Sequence, residues 1–105
     1  MLSQDELKAL EILAYFFYQG QRPQSALRTL KAILAIEPKN KWAREMIIFC
    51  EDSLEHYEKV ESLTSNLESL ELDKDKLKAL SFLRARALQK LGRSAEAQAL
   101  VAKFI

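Results

Sequence analysis

This sequence has little with which to break a helix or cross-link a chain: two glycines, two prolines and one cysteine in 105 residues. A single cysteine, Cys50, allows no internal disulfide, which fits a reducing compartment. His56 is the only histidine, no paired Cys or His stands at metal-ligand spacing, and no glycine-rich phosphate loop is present. Catalytic, cofactor-binding and metal-binding residues are therefore not expected, and neither is an enzyme. Val and Thr are scarce, which deprives strands of their usual residues. The N-terminus carries no basic stretch leading into an apolar core, so it does not read as a secretory signal. The longest apolar run, Ile12 to Tyr18, is far short of a bilayer span, and membrane insertion is not expected. Sixteen basic residues against fifteen acidic leave a net charge of +1, with only isolated pairs such as Lys39 and Lys41 or Arg84 and Arg86. Without a basic excess to displace phosphate counterions, nucleic acid is not an expected partner.

What is present points to helices. Hydrophobic residues make up 49% and charged residues 30%, the balance of a globular chain rather than a disordered one. Ala, Leu, Glu, Lys and Gln dominate, and their side chains lose little freedom in a helix. The expected class is all-α, with one domain over residues 1–105.

Apolar residues recur at helical spacing almost throughout. A first helix is expected from about Gln4 to Gln19, opened by a capping box of Ser3 and Glu6 and closed by Gly20 in a left-handed conformation. Pro23 suits the first turn of a second helix that stops before Pro38. Asn40 caps a third, with Trp42, Met46 and Phe49 on one stripe. From there to Gly92 nothing breaks the chain by type. The pattern reads either as a hairpin turning near Glu51 to Glu55 or as one helix of about 45 Å, awkward in a small domain; the hairpin is favoured. Asp73 or Asp75 caps a helix running to about Lys90, Gly92 closes it, and Ser94 caps a last helix.

Three helical hairpins with a period in the mid-thirties call for a repeat test. Leu91-Gly92-Arg93-Ser94-Ala95-Glu96-Ala97, preceded by Ala85 and Leu88 and followed by Val101 and Phe104, resembles the inter-helix turn of a tetratricopeptide (TPR) repeat. The first unit is similar: Phe16, Phe17, Gly20, Ala26, Leu30, Leu34, then Ile36-Glu37-Pro38, with a turn one residue longer than usual. The middle unit is degenerate and lacks the turn glycine and the small alanine. The resemblance implies about three hairpins in a short TPR-like superhelix, with units at about 4–38, 41–72 and 75–105.

Two surfaces draw attention. The run Ile12 to Tyr18 sweeps nearly two turns and is apolar all round, so it is either a well-wrapped core helix or one with aromatic surface left for a partner. The TPR pattern implies a concave face made by Leu10, Ala14, Phe17 and Tyr18, then Trp42, Glu45, Phe49 and Asp52, then Phe82, Arg86 and Lys90. Such a face suits an amphipathic helix or extended peptide. Trp42 fits packing between units as well as direct contact. The last helix, ending Val101-Ala102-Lys103-Phe104-Ile105, presents apolar residues that suit a partner or self-association. Cys50 reads as a small buried hydrophobe rather than a nucleophile, and His56 as a surface residue near a turn.

The aromatic first helix (Leu13 to Tyr18), the Ala26-to-Pro38 helix, the degenerate middle and the Leu83-to-Gly92 segment resemble the small TPR-like chaperones of bacterial type III secretion systems. The YscY-type chaperones, which pair with YscX-type export proteins, are the most similar, and the needle-subunit chaperones of YscG type come second. The resemblance implies a cytoplasmic bacterial protein that keeps a small secreted protein soluble in an apolar groove. Its partners would be a YscX-like or needle-subunit-like substrate and the export gate, with self-association when unpartnered. The alternative is a TPR-type scaffold or self-associating assembly protein without an export substrate.

Overall fold

The computed structural model describes residues 3–104, the side chain of residue 104 excepted. The fold is all-α and built of helical hairpins, with no strand among the described residues. Its helices are α1 (Gln4–Gln19), α2 (Pro23–Ile36), α3 (Lys41–Ser53), α4 (Tyr57–Thr64), α5 (Lys74–Lys90) and α6 (Ser94–Phe104), with a 3₁₀ turn at Leu67–Leu70. No described helix is long and apolar enough to cross a membrane.

Three of the start signals close specific bonds, whereas Ser94, expected to cap the last helix, is instead the first residue of α6. Ser3 Oγ accepts the Glu6 N–H at 3.1 Å and Glu6 Oε1 accepts the Ser3 N–H at 3.2 Å, a reciprocal capping box. Asn40 Oδ1 accepts the Ala43 N–H at 2.8 Å, and Asp73 Oδ1 accepts the Lys76 N–H at 2.8 Å. Pro23 begins α2, where its missing N–H removes a donor that would have no helical partner.

The helix ends depart from expectation at one point. Gly20 has φ −80°, and the left-handed residue is its neighbour Gln21 at φ 59°. The Arg22 N–H reaches Phe17 O at 2.8 Å and the Gln21 N–H reaches Tyr18 O at 3.1 Å, the paired bonds of a Schellman turn. After α5 the Arg93 N–H bonds Leu88 O at 2.8 Å and the Gly92 N–H bonds Gln89 O at 3.1 Å, with Gly92 at φ 82°. The two turns are therefore the same length, and the first is not a residue longer; its glycine stands one position early. After α3 a third left-handed residue, Glu55 at φ 60°, follows Leu54. The break expected near Glu51 to Glu55 is thus real, and the single long helix does not form.

These three residues set an internal register, since 34 positions separate Gln21 from Glu55 and 37 separate Glu55 from Gly92. Five places after them stand Ala26, Val60 and Ala97, all buried, and seven places before stand Ala14, Ile48 and Ala85, also buried. Small residues at two of each trio let helix axes approach closely. Val60 and Ile48, together with Glu55 in the place of the turn glycine, are what makes the middle of the sequence look degenerate.

The chain divides into two compact units, Met1–Leu54 and Glu55–Ile105, a boundary that falls inside the segment 41–72. In the first, α2 packs on α1 and α3 packs on α2. Leu7, Ala14, Ala26, Leu27, Leu30, Ile33, Ala43, Ile47 and Cys50 form its core. Leu30 and Ile33 are fully buried, each contributing about 1.5–3 kcal/mol of transfer free energy.

In the second unit α5 packs on α4, on the 3₁₀ turn and on α6. The apolar pattern to Leu70 does not carry one helix that far. Thr64 Oγ1 donates to Val60 O at 2.6 Å, Ser65 Oγ to Ser62 O at 2.9 Å and Ser69 Oγ to Asn66 O at 2.8 Å. Hydroxyls competing for backbone carbonyls weaken helix propagation, and α4 ends at Thr64. Arg84 of α5 donates to Glu61 O at 2.9 Å and Thr64 Oγ1 at 3.3 Å, closing that frayed end from outside.

Candidate functional site

Which face of α1 is open follows from how α2 covers it. Leu7, Leu10, Ala14 and Phe17 recur at i, i+3, i+7 and i+10, the stripe a packed helix buries. Leu7 and Ala14 are core residues, while Leu10, Phe17 and Tyr18 are half-buried against that core. On the opposite face Ile12, Leu13, Tyr15 and Phe16 are exposed, Phe16 to 66%. Four large apolar side chains on two turns form a patch that isolated exposed residues would not. Tyr15 Oη accepts a hydrogen bond from Gln19 Nε2 at 2.6 Å.

The anticipated concave residues separate accordingly. In the first unit Ala14 is only 1% exposed and offers no surface. Leu10, Phe17, Tyr18 and Trp42 come together, but around the core of that unit, half-buried against it. Glu45 is buried, and Phe49 and Asp52 are half-buried. The register explains the mismatch. Positions equivalent to Glu45, Phe49 and Asp52 are Glu11, Tyr15 and Tyr18 in α1, so only Tyr18 was taken in phase.

In the second unit Phe82 and Arg86 do come together, on one wall of an open cleft of about 810 Å³ between α5 and α6. Lys90 is exposed one turn further along α5, outside the cleft lining. Ala85 and Ala97 form its small-residue floor, Val101 and Ala102 continue it along α6, and Gln89 and Gln98 supply amide groups at its edges. Phe104's side chain and Ile105, expected at the same apolar end, lie outside the described residues.

The concave set drawn from the sequence omitted Ile12, Leu13, Tyr15 and Phe16, although the run Ile12 to Tyr18 stood out as apolar all round. The signal was available: Leu7-Leu10-Ala14-Phe17 is the better stripe, and residues 12, 13 and 16 are what it leaves on the other side. The cleft was harder to see, because it arises from missing side-chain volume at Ala85, Ala97 and Ala102 rather than from a motif.

Cys50 is fully buried, and burial, then the neighbouring Glu51, push its thiol up to about 11. Such a thiol is a poor nucleophile at neutral pH. Arg93 Nε donates to Glu96 Oε2 at 2.6 Å and its guanidinium also pairs with Glu61 at 3.3 Å. The hydrogen bond from Arg93 holds Glu96 below the ordinary glutamate range. No group of three or more His, Cys, Asp or Glu side chains among the described residues is placed to hold a metal ion. His56 is exposed at the start of α4. No protein-family model matches this chain, and no curated protein matches it in sequence.

Proposed function

We propose that this chain is a chaperone-type binding module of the bacterial cytoplasm, covering an apolar helix of a small type III export protein until the export gate takes that protein over. The observation that supports this reading is the uncovered face of α1, where Ile12, Leu13, Tyr15 and Phe16 stand in solvent. An amphipathic partner helix laid on them removes apolar surface from water on both sides, which is the main driving force of such association. An interface of standard size would bury about 800 Å² per partner. Phe16, the most exposed, is the natural anchor, since central aromatics carry most of the energy of such contacts. The proposed partner is a YscX-like or needle-subunit-like protein that exposes such a helix.

The test is co-expression with a small type III export protein, followed by purification and light scattering. The expected result is a one-to-one complex that Phe16→Glu abolishes while circular dichroism stays unchanged. Failure to capture any export protein of this class, or capture that ignores Phe16→Glu, overturns the reading. Phe17→Glu is the wrong probe, because Phe17 packs on the core and its loss would unfold the first unit. A second reading, a self-associating assembly protein, is favoured by a separate observation: the open cleft between α5 and α6.

A further inference from the structure

The register set by Gln21, Glu55 and Gly92 allows surfaces of the two units to be compared position by position. In the first unit α3 packs on α2 through Ala43, Ile47 and Cys50, with Met46 half-buried beside them. Moving back by the 34 residues that separate Glu55 from Gln21, these four positions become Ala9, Ile12, Leu13 and Phe16. All four are exposed. The open face of α1 is therefore the counterpart of the face by which α3 docks.

The surface α3 docks against has a counterpart as well. Ala14, Tyr18, Ala26, Leu27 and Leu30 belong to that core. Moving forward by the 71 residues that separate Gln21 from Gly92, they become Ala85, Gln89, Ala97, Gln98 and Val101. All five line the open cleft between α5 and α6. Among the described residues, nothing covers the docking face of the one unit and nothing fills the docking groove of the other.

From this correspondence we infer that the chain docks on a second copy of itself head to tail, α1 of one protomer lying in the α5–α6 cleft of the next as α3 lies on α2. Volume and charge both fit. Phe16 stands where α3 has the small Cys50, and the cleft is floored by Ala85, Ala97 and Ala102, which leaves room for a ring. Helix α1 carries three acidic residues and one basic, a net −2. The stretch from Lys74 to Phe104 carries eight basic residues and two acidic, a net +6. Opposed charge of this kind steers encounter and fixes orientation.

Orientation follows from a crevice lined by Tyr18, Pro23 and Ser53, which places the end of α3 at the α1–α2 turn. By the same shifts the end of a docked α1, at Gln19, meets Gln89 and Ser94. Its acidic start, Asp5 and Glu6, lies toward Lys103 at the end of α6. The contact joins two different surfaces, so it propagates into open chains or closes into rings rather than forming a two-fold dimer. The inference does not rest on the export-protein reading, because it is tested on the 105-residue chain alone.

The experiment is light scattering across a concentration series of the wild type, Phe16→Glu, Val101→Glu and an equimolar mixture of the two variants. The wild type should rise above its 12.1 kDa protomer mass as concentration increases, while each variant alone loses that rise. The mixture should recover a species of twice the protomer mass, since one intact face meets one intact cleft. A wild type that stays at protomer mass overturns the inference. So does a mixture that stays there while the wild type associates, because the contact then joins like surfaces. Circular dichroism checks each variant, with Ile12→Glu and Gln98→Glu replacing either one that loses helix.

Discussion

Gln21 and Gly92 hold the same left-handed backbone position in equivalent turns, φ 59° and 82°, one with a Cβ and one without. Left-handed geometry brings Cβ toward the following carbonyl, a penalty of about 1–2 kcal/mol that glycine escapes. Gln21→Gly should therefore raise stability by about 0.5–1 kcal/mol, and Gly92→Ala should lower it by about 1 kcal/mol. A Cβ at Gly92 would meet nothing within 4 Å, so its loss is conformational and not steric. Urea titrations of the variants measure both, and a Gln21→Gly protein less stable than wild type would contradict the assignment.

Glu96 should titrate below the ordinary glutamate range because the Arg93 guanidinium bonds its carboxylate. A carboxylate whose folded pKa is depressed stabilises the fold above its unfolded value, and that contribution is lost as pH falls through the folded one. The group is exposed, so the effect is read from its own titration rather than from global stability. An NMR titration should show the Glu96 midpoint returning to the ordinary range in Arg93→Gln. No movement in that variant would show that the pair does not set it.

Cys50 should resist alkylation in the native protein. Its thiol is buried and stays protonated to about 11, so both access and thiolate are lacking. Its folded pKa is raised above 9.0, so its contribution to stability is complete below pH 9.0 and is lost as pH rises toward 11. Iodoacetamide modification followed by mass spectrometry should track global unfolding in urea, and labelling in native buffer within minutes would contradict the burial.

Much of this fold was legible because the start signals are local chemistry. Ser3 with Glu6, Asn40 and Asp73 each bond the backbone within three residues, so the sequence window contains the whole cause. The ends were less legible. A left-handed residue is demanded by the turn and can be met by Gln21 or Glu55, so glycine marks it only at Gly92. The end of α4 depends on hydroxyls at Thr64 and Ser65 and on an arginine twenty residues away.

The candidate surface was half legible. That α1 is apolar on every side is plain from Ile12 to Tyr18, but which side stays open depends on the one α2 covers. Phe17 faces the core and Phe16 faces solvent, adjacent residues about 100° apart on the helix. Phe82 and Arg86 were placed together because their spacing on α5 is that of one helix face, whereas the cleft beside them needed α6 in position.

The central claim is that the solvent face of α1, centred on Phe16, is where this protein meets its partners. Hydroxyl-radical footprinting of the chain, alone and with a bound small export protein, tests it at single-residue level. The account predicts that Phe16 and Tyr15 are oxidised readily in the free chain at dilute concentration and protected in the complex, while Phe17 changes little. Phe16 remaining equally reactive in a stable complex would contradict it.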